Sequence, residues 1–109
     1  MTRFEVLKIV EDARKKGIRA DLRYANMSGA DLTGVDLTGA DLTRAKLTCA
    51  DLTDADLIRA NMERANMARA DLTQANMERA NMARADLTDA DLIRANMARA
   101  DLRCANLSD

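Results

Sequence analysis

The sequence predicts a solenoid, a chain wound into stacked coils with one short side and one corner per repeat. Three observations support this prediction: a five-residue repeat, an apolar residue at the centre of every repeat, and an unusual composition. The chain has no His, Pro or Trp, and its hydrophobic fraction of 48% is mostly Ala, Leu and Met. An ordinary core of this size relies on aromatic and β-branched residues, so the composition disfavours a conventional globular domain.

The repeat runs without insertion from residue 20 to residue 109 and comprises 18 pentads of the form Ala-(Asp/Asn)-(Leu/Met)-x-x. The first position departs from Ala only at Val35, and the second departs from Asp/Asn only at Lys46. A period of five matches neither a helix nor a plain strand. It suits a coil in which Ala and Leu/Met point inward, while Asp/Asn and the last two residues point outward and Asp/Asn bond to nearby backbone.

This pattern closely resembles the pentapeptide-repeat family, A(D/N)Lxx, over residues 20–109. The resemblance implies an all-β fold, a right-handed quadrilateral parallel β-helix with four pentads per coil. Residues 20 apart would then stack, and 18 pentads would make about 4.5 coils. We therefore divide the chain into an N-terminal capping helix, residues 1–19, and a β-helix, residues 20–109.

The capping helix is predicted from signals that precede the repeat. Residues from Thr2 to Glu5 fit a capping box, and Gly17 follows two lysines as a stop signal, with Ile18 as a trailing apolar contact. A membrane-surface helix is the weaker alternative, because it would need a broader basic face. The apolar residues recur at helical spacing and are Phe4, Val6, Leu7, Ile9, Val10 and Ala13.

The composition also disfavours several functional classes. Without His, the chain lacks the commonest general base and metal ligand, and a convex rod offers no catalytic pocket, so we expect no catalytic residue, cofactor or metal. The net charge of −1 does not indicate direct nucleic-acid binding. No membrane-length apolar run or signal-peptide core is present, which predicts a cytoplasmic protein with no membrane partner. Cys49 and Cys104 are expected to be free thiols at outward positions.

The four outward faces differ in charge. One face, built on Leu32 and its stacked equivalents, has a net charge of −4 from five Asp against Arg94. We predict either an ordinary solvated surface or an acidic docking face for an unknown basic partner; a metal ladder is disfavoured, because stacked side chains diverge. This face carries Asp31, Asp51, Asp54, Asp71 and Asp91. Two Arg columns, Arg44/Arg64/Arg84 and Arg59/Arg79/Arg99, lie on two faces that are adjacent to each other.

The repeat stays in register to Leu107, so the last coil would expose its core and its strand edge. End-to-end dimerisation, a stacked partner protein and a truncated longer chain all explain this. We expect a two-fold homodimer through the C-terminal end, in which Cys104 could cross-link the two copies under oxidation. The candidate end surface is Leu92, Met97, Leu102, Cys104 and Leu107.

The predicted function is a non-catalytic binding or scaffold protein of unidentified target. The alternative, implied by the family resemblance, is a DNA-mimicking inhibitor or protector of a type II topoisomerase, DNA gyrase. Duplex DNA carries about 13 negative charges over a rod of about 22 Å, whereas the repeat region has a net charge of −4. This charge deficit disfavours mimicry, and a supercoiling assay unaffected by micromolar protein would exclude it.

Overall fold

The computed structural model describes residues 1–109, which form one helix followed by stacked pentads. Helix α1 spans Arg3–Lys16. From residue 20 onward there is no continuous strand. Instead, each Asp/Asn position forms a single parallel bridge with the residue 20 positions later, from Asp21↔Asp41 to Asp86↔Asn106. The stacking of residues 20 apart, expected for four pentads per coil, is present in all 14 bridges.

Backbone hydrogen bonds join each coil to the next. The amide of a central residue donates to the carbonyl 19 positions later, as from Leu52 to Asp71 at 2.7 Å. The amide of an Asp/Asn residue donates to the carbonyl 21 positions earlier, as from Asp71 to Ala50 at 2.9 Å. A third series starts at the last pentad position, as from the amide of Arg64 to the carbonyl of Ala83 at 2.9 Å. These three series join the inner coils although only one residue per side forms a bridge.

Each corner is a tight turn with a left-handed third residue. At a representative corner, the amide of Ala65 donates to the carbonyl of Met62 at 3.0 Å, and Arg64 between them has a φ of 59°. A β-turn in which only the third residue has a positive φ is a type II turn. The last pentad position has this conformation at 14 non-glycine residues. Nothing in the sequence pattern predicted it, because that position tolerates Arg, Asp, Cys, Gln and Tyr as well as Gly.

The core is apolar throughout. All 28 buried residues are hydrophobic, and no polar or charged residue is buried. Leu52 and Leu72, in the middle coils, are 0% exposed, and Val35 is buried at an Ala position. The predicted inward and outward assignment of the pentad positions is therefore confirmed.

Helix α1 has the predicted ends. The amide of Glu5 donates to Thr2 Oγ1 at 3.2 Å, and the amide of Thr2 donates to Glu5 Oε1 at 3.1 Å, which completes the capping box. Gly17, with a φ of 66°, ends the helix, and the amide of Ile18 donates to the carbonyl of Ala13 at 3.0 Å. The helix is too short and too polar to cross a membrane.

The predicted apolar face of α1 was only partly right. Val6 and Ala13 are buried, with Ile9 and Val10 partly buried beside them, because these positions form one narrow stripe on the helix. Three residues that we expected to pack inward are instead exposed. They are Phe4 at 76%, Leu7 at 41% and Ile18 at 61%.

The contacts of α1 supply donors to the first coil. The guanidinium of Arg3 donates to the carbonyl of Asp31 at 3.1 Å, and the N-terminal ammonium donates to the carbonyl of Asn26 at 2.9 Å. Arg14 Nη2 lies 3.2 Å from Asp36 Oδ2. These polar contacts therefore reach three sides of the first coil, in addition to the apolar stripe of the helix that packs on it.

Candidate binding surfaces

The predicted acidic residues form one continuous column, hereafter the acidic column, of Asp31, Asp51, Asp71 and Asp91. Each carboxylate is fixed by its own turn, because Oδ1 accepts a hydrogen bond from the amide two residues later at 3.0–3.1 Å. At Asp31, Asp51 and Asp91 this amide is the only hydrogen-bond donor to the carboxylate, whereas Asp71 Oδ1 also accepts from the hydroxyl of Thr73 at 2.5 Å. Asp54 is exposed in a turn next to the column. The column thus presents oriented carboxylates that have unused acceptor capacity.

The electrostatics of the acidic column are set by these turns. The hydroxyl of Thr33, followed by its amide, holds the pKa of Asp31 below its usual range, and Arg3 adds a smaller lowering. The hydroxyl and then the amide of Thr73 lower the pKa of Asp71 in the same way. Stacked layers are about 4.8 Å apart, so like charges repel along the column.

The two Arg columns lie at the corners, where each Arg adopts the left-handed turn conformation. Every Arg in these columns is exposed. The ion pairs of the chain involve Arg3, Arg14, Lys15, Arg23 and Arg103 and none of the column arginines. Their charge is therefore not neutralised within one copy of the chain.

The C-terminal end exposes the core in a graded way. Leu87 is 2% exposed and is the last fully buried central residue, whereas Leu107 is 52% exposed. Between them, Leu92, Met97 and Leu102 are partly buried. The amides of these four central residues from 92 to 107 have no backbone partner, in contrast to those of the inner coils. This end therefore combines apolar surface with an open hydrogen-bonding edge.

A model of the family described as "Pentapeptide repeats (8 copies)" matches residues 18–48, 45–82 and 80–109. The chain belongs to the pentapeptide-repeat family. Proteins of this family are right-handed quadrilateral β-helices, which agrees with the 20-residue stacking and the four-sided coil described above. The handedness, which the sequence implied only through its resemblance to the family, therefore follows from membership in it.

Solved structures of other pentapeptide-repeat proteins are similar to this chain. The protein alr5209 from Nostoc PCC 7120 is 32% identical, with a TM-score of 0.77, over 84% of this chain and 74% of that protein. Rfr23 from Cyanothece 51142 is 33% identical, with a TM-score of 0.46, over 83% and 65% respectively. HetL of Nostoc PCC 7120, involved in the regulation of heterocyst differentiation, is 36% identical, with a TM-score of 0.42, over 80% and 44%. This chain thus spans less than two thirds of the length of Rfr23 and of HetL. A search of curated proteins gives no match.

Both cysteines of this pentapeptide-repeat chain are exposed and free. They occupy the left-handed turn position, with φ of 59° at Cys49 and 60° at Cys104. Cys104 lies in the last coil, near the open end, whereas Cys49 lies away from both ends of the solenoid. One exposed apolar residue near that end was not predicted as part of any site: Ile93, at 61% exposure, occupies an outward position.

Proposed function

We propose that this chain is a non-catalytic, cytoplasmic binding or scaffold protein that associates with itself through its C-terminal coil. The proposal rests on the exposure of the central Leu and Met residues, here called the inner ladder. Their exposed fraction rises from 2% at Leu87 to 52% at Leu107. Central residues of a solenoid are stabilised by the coils on both sides, and those of this end have a neighbouring coil on one side only. Two exposed thiols suit a reducing compartment.

A second copy fits this end surface because two-fold symmetry brings two identical open edges together. Leu92, Met97 and Leu102 are already partly buried, so contact with another coil would complete their burial. Full burial of a Leu or Met side chain contributes about 1.5–3 kcal/mol. The unpaired amides of the last coil would gain acceptors at the same time, as the inner coils already have.

The N-terminal end of the solenoid also supports association through the C-terminal end. We propose that α1 acts as a cap, because Val6 and Ala13 close the apolar interior and Arg3 supplies a donor to the first coil. A capped end cannot receive another coil. Association along the solenoid axis is then restricted to the C-terminal end, which favours a closed dimer over a filament along that axis.

The acidic column is proposed as a second binding surface, for a partner of basic chemistry. Its carboxylates are oriented by their turns, and those of Asp31, Asp51 and Asp91 keep a free oxygen. Oriented acceptors favour charge-assisted hydrogen bonds with Arg or Lys. This surface lies along the side of the solenoid, so it remains accessible in an end-to-end dimer.

Sedimentation over a concentration series tests the end-to-end association. The wild-type chain is expected to be a dimer, and Leu107→Glu is expected to be a monomer because it places a charge in the interface. Ile93→Glu is the matched control, since Ile93 is similarly exposed but lies on an outer face. A wild-type monomer at the highest concentration, or equal effects of the two substitutions, would overturn the proposal.

Oxidative cross-linking gives an independent readout of the same interface. Cys104 lies near the end surface, so oxidation of the wild-type chain is expected to give a covalent dimer. Cys49→Ser should keep that product, and Cys104→Ser should remove it. Cross-linking that depends on Cys49 instead would place the contact on the side of the solenoid.

A further inference from the structure

The side of the solenoid opposite the acidic column is flanked by arginines. Arg59 and Arg64 occupy the turns on either side of Asn61, and Arg79 and Arg84 occupy those of the next coil. We call these four residues and the side between them the arginine-flanked face. With Glu63 as its one acidic residue, the face has a net charge of +3 over two coils. The Asp/Asn position holds Asn at both coils, so no carboxylate column offsets the arginines.

The acidic and basic surfaces lie on opposite sides of one rod. Four pentads complete a coil, so the side containing Asn61 and the side containing Asp51 or Asp71 are separated by two corners. Asp51, Asp71 and the four arginines form no ion pair within the chain. Each surface stacks like charges in successive layers, an arrangement that is unfavourable while it stays unpaired.

Charged residues have the same axial spacing on the two surfaces, because the same hydrogen bonds between coils fix the position of both sets. Successive Asp residues and successive Arg residues are each 20 positions apart, which separates them by about 4.8 Å along the axis. Charges on the two surfaces therefore match layer for layer, whichever direction two rods run relative to each other. Neighbouring strands of any β-sheet have this spacing, but a second copy of this chain combines it with the complementary charges.

We propose that the arginine-flanked face of one copy docks on the acidic column of a second copy. The proposal rests on the acidic column being a binding surface, as put forward above, and it identifies the partner as the chain itself. The contact pairs two different surfaces, so it is heterologous and leaves one free surface of each kind on every pair. Side-by-side association can therefore continue beyond two copies, and it depends on ionic strength.

Neutral substitutions that keep the fold test this proposal. Asn replaces Asp naturally in this repeat and accepts the same turn hydrogen bond, as Asn61 does from the amide of Glu63 at 3.1 Å. Gln occupies the left-handed corner at Gln74, with a φ of 59°. The acid-neutral variant is therefore Asp51→Asn, Asp71→Asn and Asp91→Asn. The arginine-neutral variant is Arg59→Gln, Arg64→Gln, Arg79→Gln and Arg84→Gln.

All variants are measured by sedimentation in a Leu107→Glu background, which removes the proposed end-to-end contact. At about 10 mM salt, where the Debye length is about 30 Å, the background chain should show at least a doubling of mean mass. At about 1 M salt, where the Debye length is about 3 Å, it should return to monomer. Each neutral variant alone should be monomeric at both salt concentrations. Asp56→Asn with Asp86→Asn, on the two neighbouring faces and free of ion pairs, is the control that should still associate.

Mixing the two neutral variants is the decisive measurement. The acid-neutral variant keeps its arginines and the arginine-neutral variant keeps its acidic column, so an equimolar mixture should form one-to-one pairs at low salt and nothing larger. A background chain that stays monomeric at low salt, or a mixture that does not pair, overturns the proposal. Either result leaves the end-to-end dimer untouched, because that contact is measured in the chain with Leu107 and persists at high salt. Binding of a basic protein by a chain that does not self-associate would assign the acidic column to another partner.

Discussion

Arg3 donates from Nη1 to the main-chain carbonyl of Asp31 at 3.1 Å and lies 3.5 Å from its carboxylate. In the next coil, the equivalent carbonyl of Asp51 accepts from the amide of Leu32 at 2.7 Å. The guanidinium of helix α1 therefore replaces, at the first coil, a hydrogen bond that an earlier coil would otherwise supply. The same contact places a positive charge at one end of the acidic column.

Removal of this contact should weaken the first coil. We expect Arg3→Ala to lower the free energy of unfolding by about 0.5–1 kcal/mol, the range for a net hydrogen bond reduced by solvent exposure. Urea denaturation measures the loss. Lys8→Ala, which removes an exposed charge from the same helix, is the control and should change stability by less than about 0.5 kcal/mol. Equal losses in the two variants would show that Arg3 contributes only to the helix itself.

The inner ladder should be most sensitive in the middle coils. Leu72 is 0% exposed, with coils on both sides, so Leu72→Ala should cost about 2–5 kcal/mol. Leu107 is 52% exposed, and Leu107→Ala should cost less than about 1 kcal/mol in the monomer. Thermal unfolding at low protein concentration compares the two variants. Similar losses at both positions would contradict stability as a sum over neighbouring coils.

Acid should destabilise the chain through its turn carboxylates. A hydrogen bond from the side chain of the residue two positions later is the main cause that lowers the pKa of Asp21 and Asp101 to about 2, and a bond from the amide of that residue is the second. The pKa values of Asp71 and Asp86 are lowered in the same way. A pKa that is lower in the folded chain gives stability that is present above the unfolded pKa of about 3.9. That stability is lost as the pH falls through the folded value, from about 4 towards about 2.

Substitution at Asp71 and Asp86 isolates this effect. Asp71→Asn with Asp86→Asn keeps the turn acceptors and removes two titrating groups, so the urea midpoint should fall less between neutral and acid pH. The reciprocal change, Asn76→Asp, adds a carboxylate at the same pentad position and should steepen the fall. Parallel pH profiles for these variants and the wild-type chain would rule out the turns as the source of acid sensitivity.

Lys46 interrupts the series of turn acceptors. The equivalent amide elsewhere bonds to an Asp or Asn side chain, whereas the amide of Thr48 has no such partner. Lys46→Asn should therefore raise the free energy of unfolding by about 0.5–1 kcal/mol. Lys46→Gln removes the same charge without a suitably placed acceptor and should give little or no increase. A gain of the same size from Gln would assign the effect to charge.

The corner at Gly34 separates backbone preference from packing. Its φ is 69°, and an added Cβ would meet no atom within 4 Å. Gly34→Ala should cost about 1 kcal/mol, because the left-handed conformation is unfavourable for a residue with a Cβ. Gly34→Asn should cost less, since Asn adopts this conformation more readily. Denaturation midpoints that do not separate Ala from Asn would show that the turn relaxes around the substitution.

Much of the fold could be predicted because the five-residue rule is nearly unbroken. The strict Leu/Met centre identified the inner ladder, and the capping box at Thr2 with the stop at Gly17 identified both ends of α1. The apolar spacing of α1 overstated its buried face, since Phe4 and Leu7 are exposed. A helix resting on the end of a narrow coil has room for only one stripe of contacts, and the spacing alone does not show how wide the contact is.

The sequence by itself determined the pentad frame, the inward position of Ala and Leu/Met, and the acidic column, because each depends only on position within a repeat and a fixed number of repeats per coil. Tertiary structure decided the left-handed corners, the use of each Asp Oδ1 by its own turn, and the absence of ion pairs at the flanking arginines. These features depend on backbone conformation and on distances across coils, which residue identity at an outward position does not specify. The positions of the proposed binding surfaces are therefore predicted by the sequence, whereas their hydrogen bonds and unpaired charges are visible only in the structure.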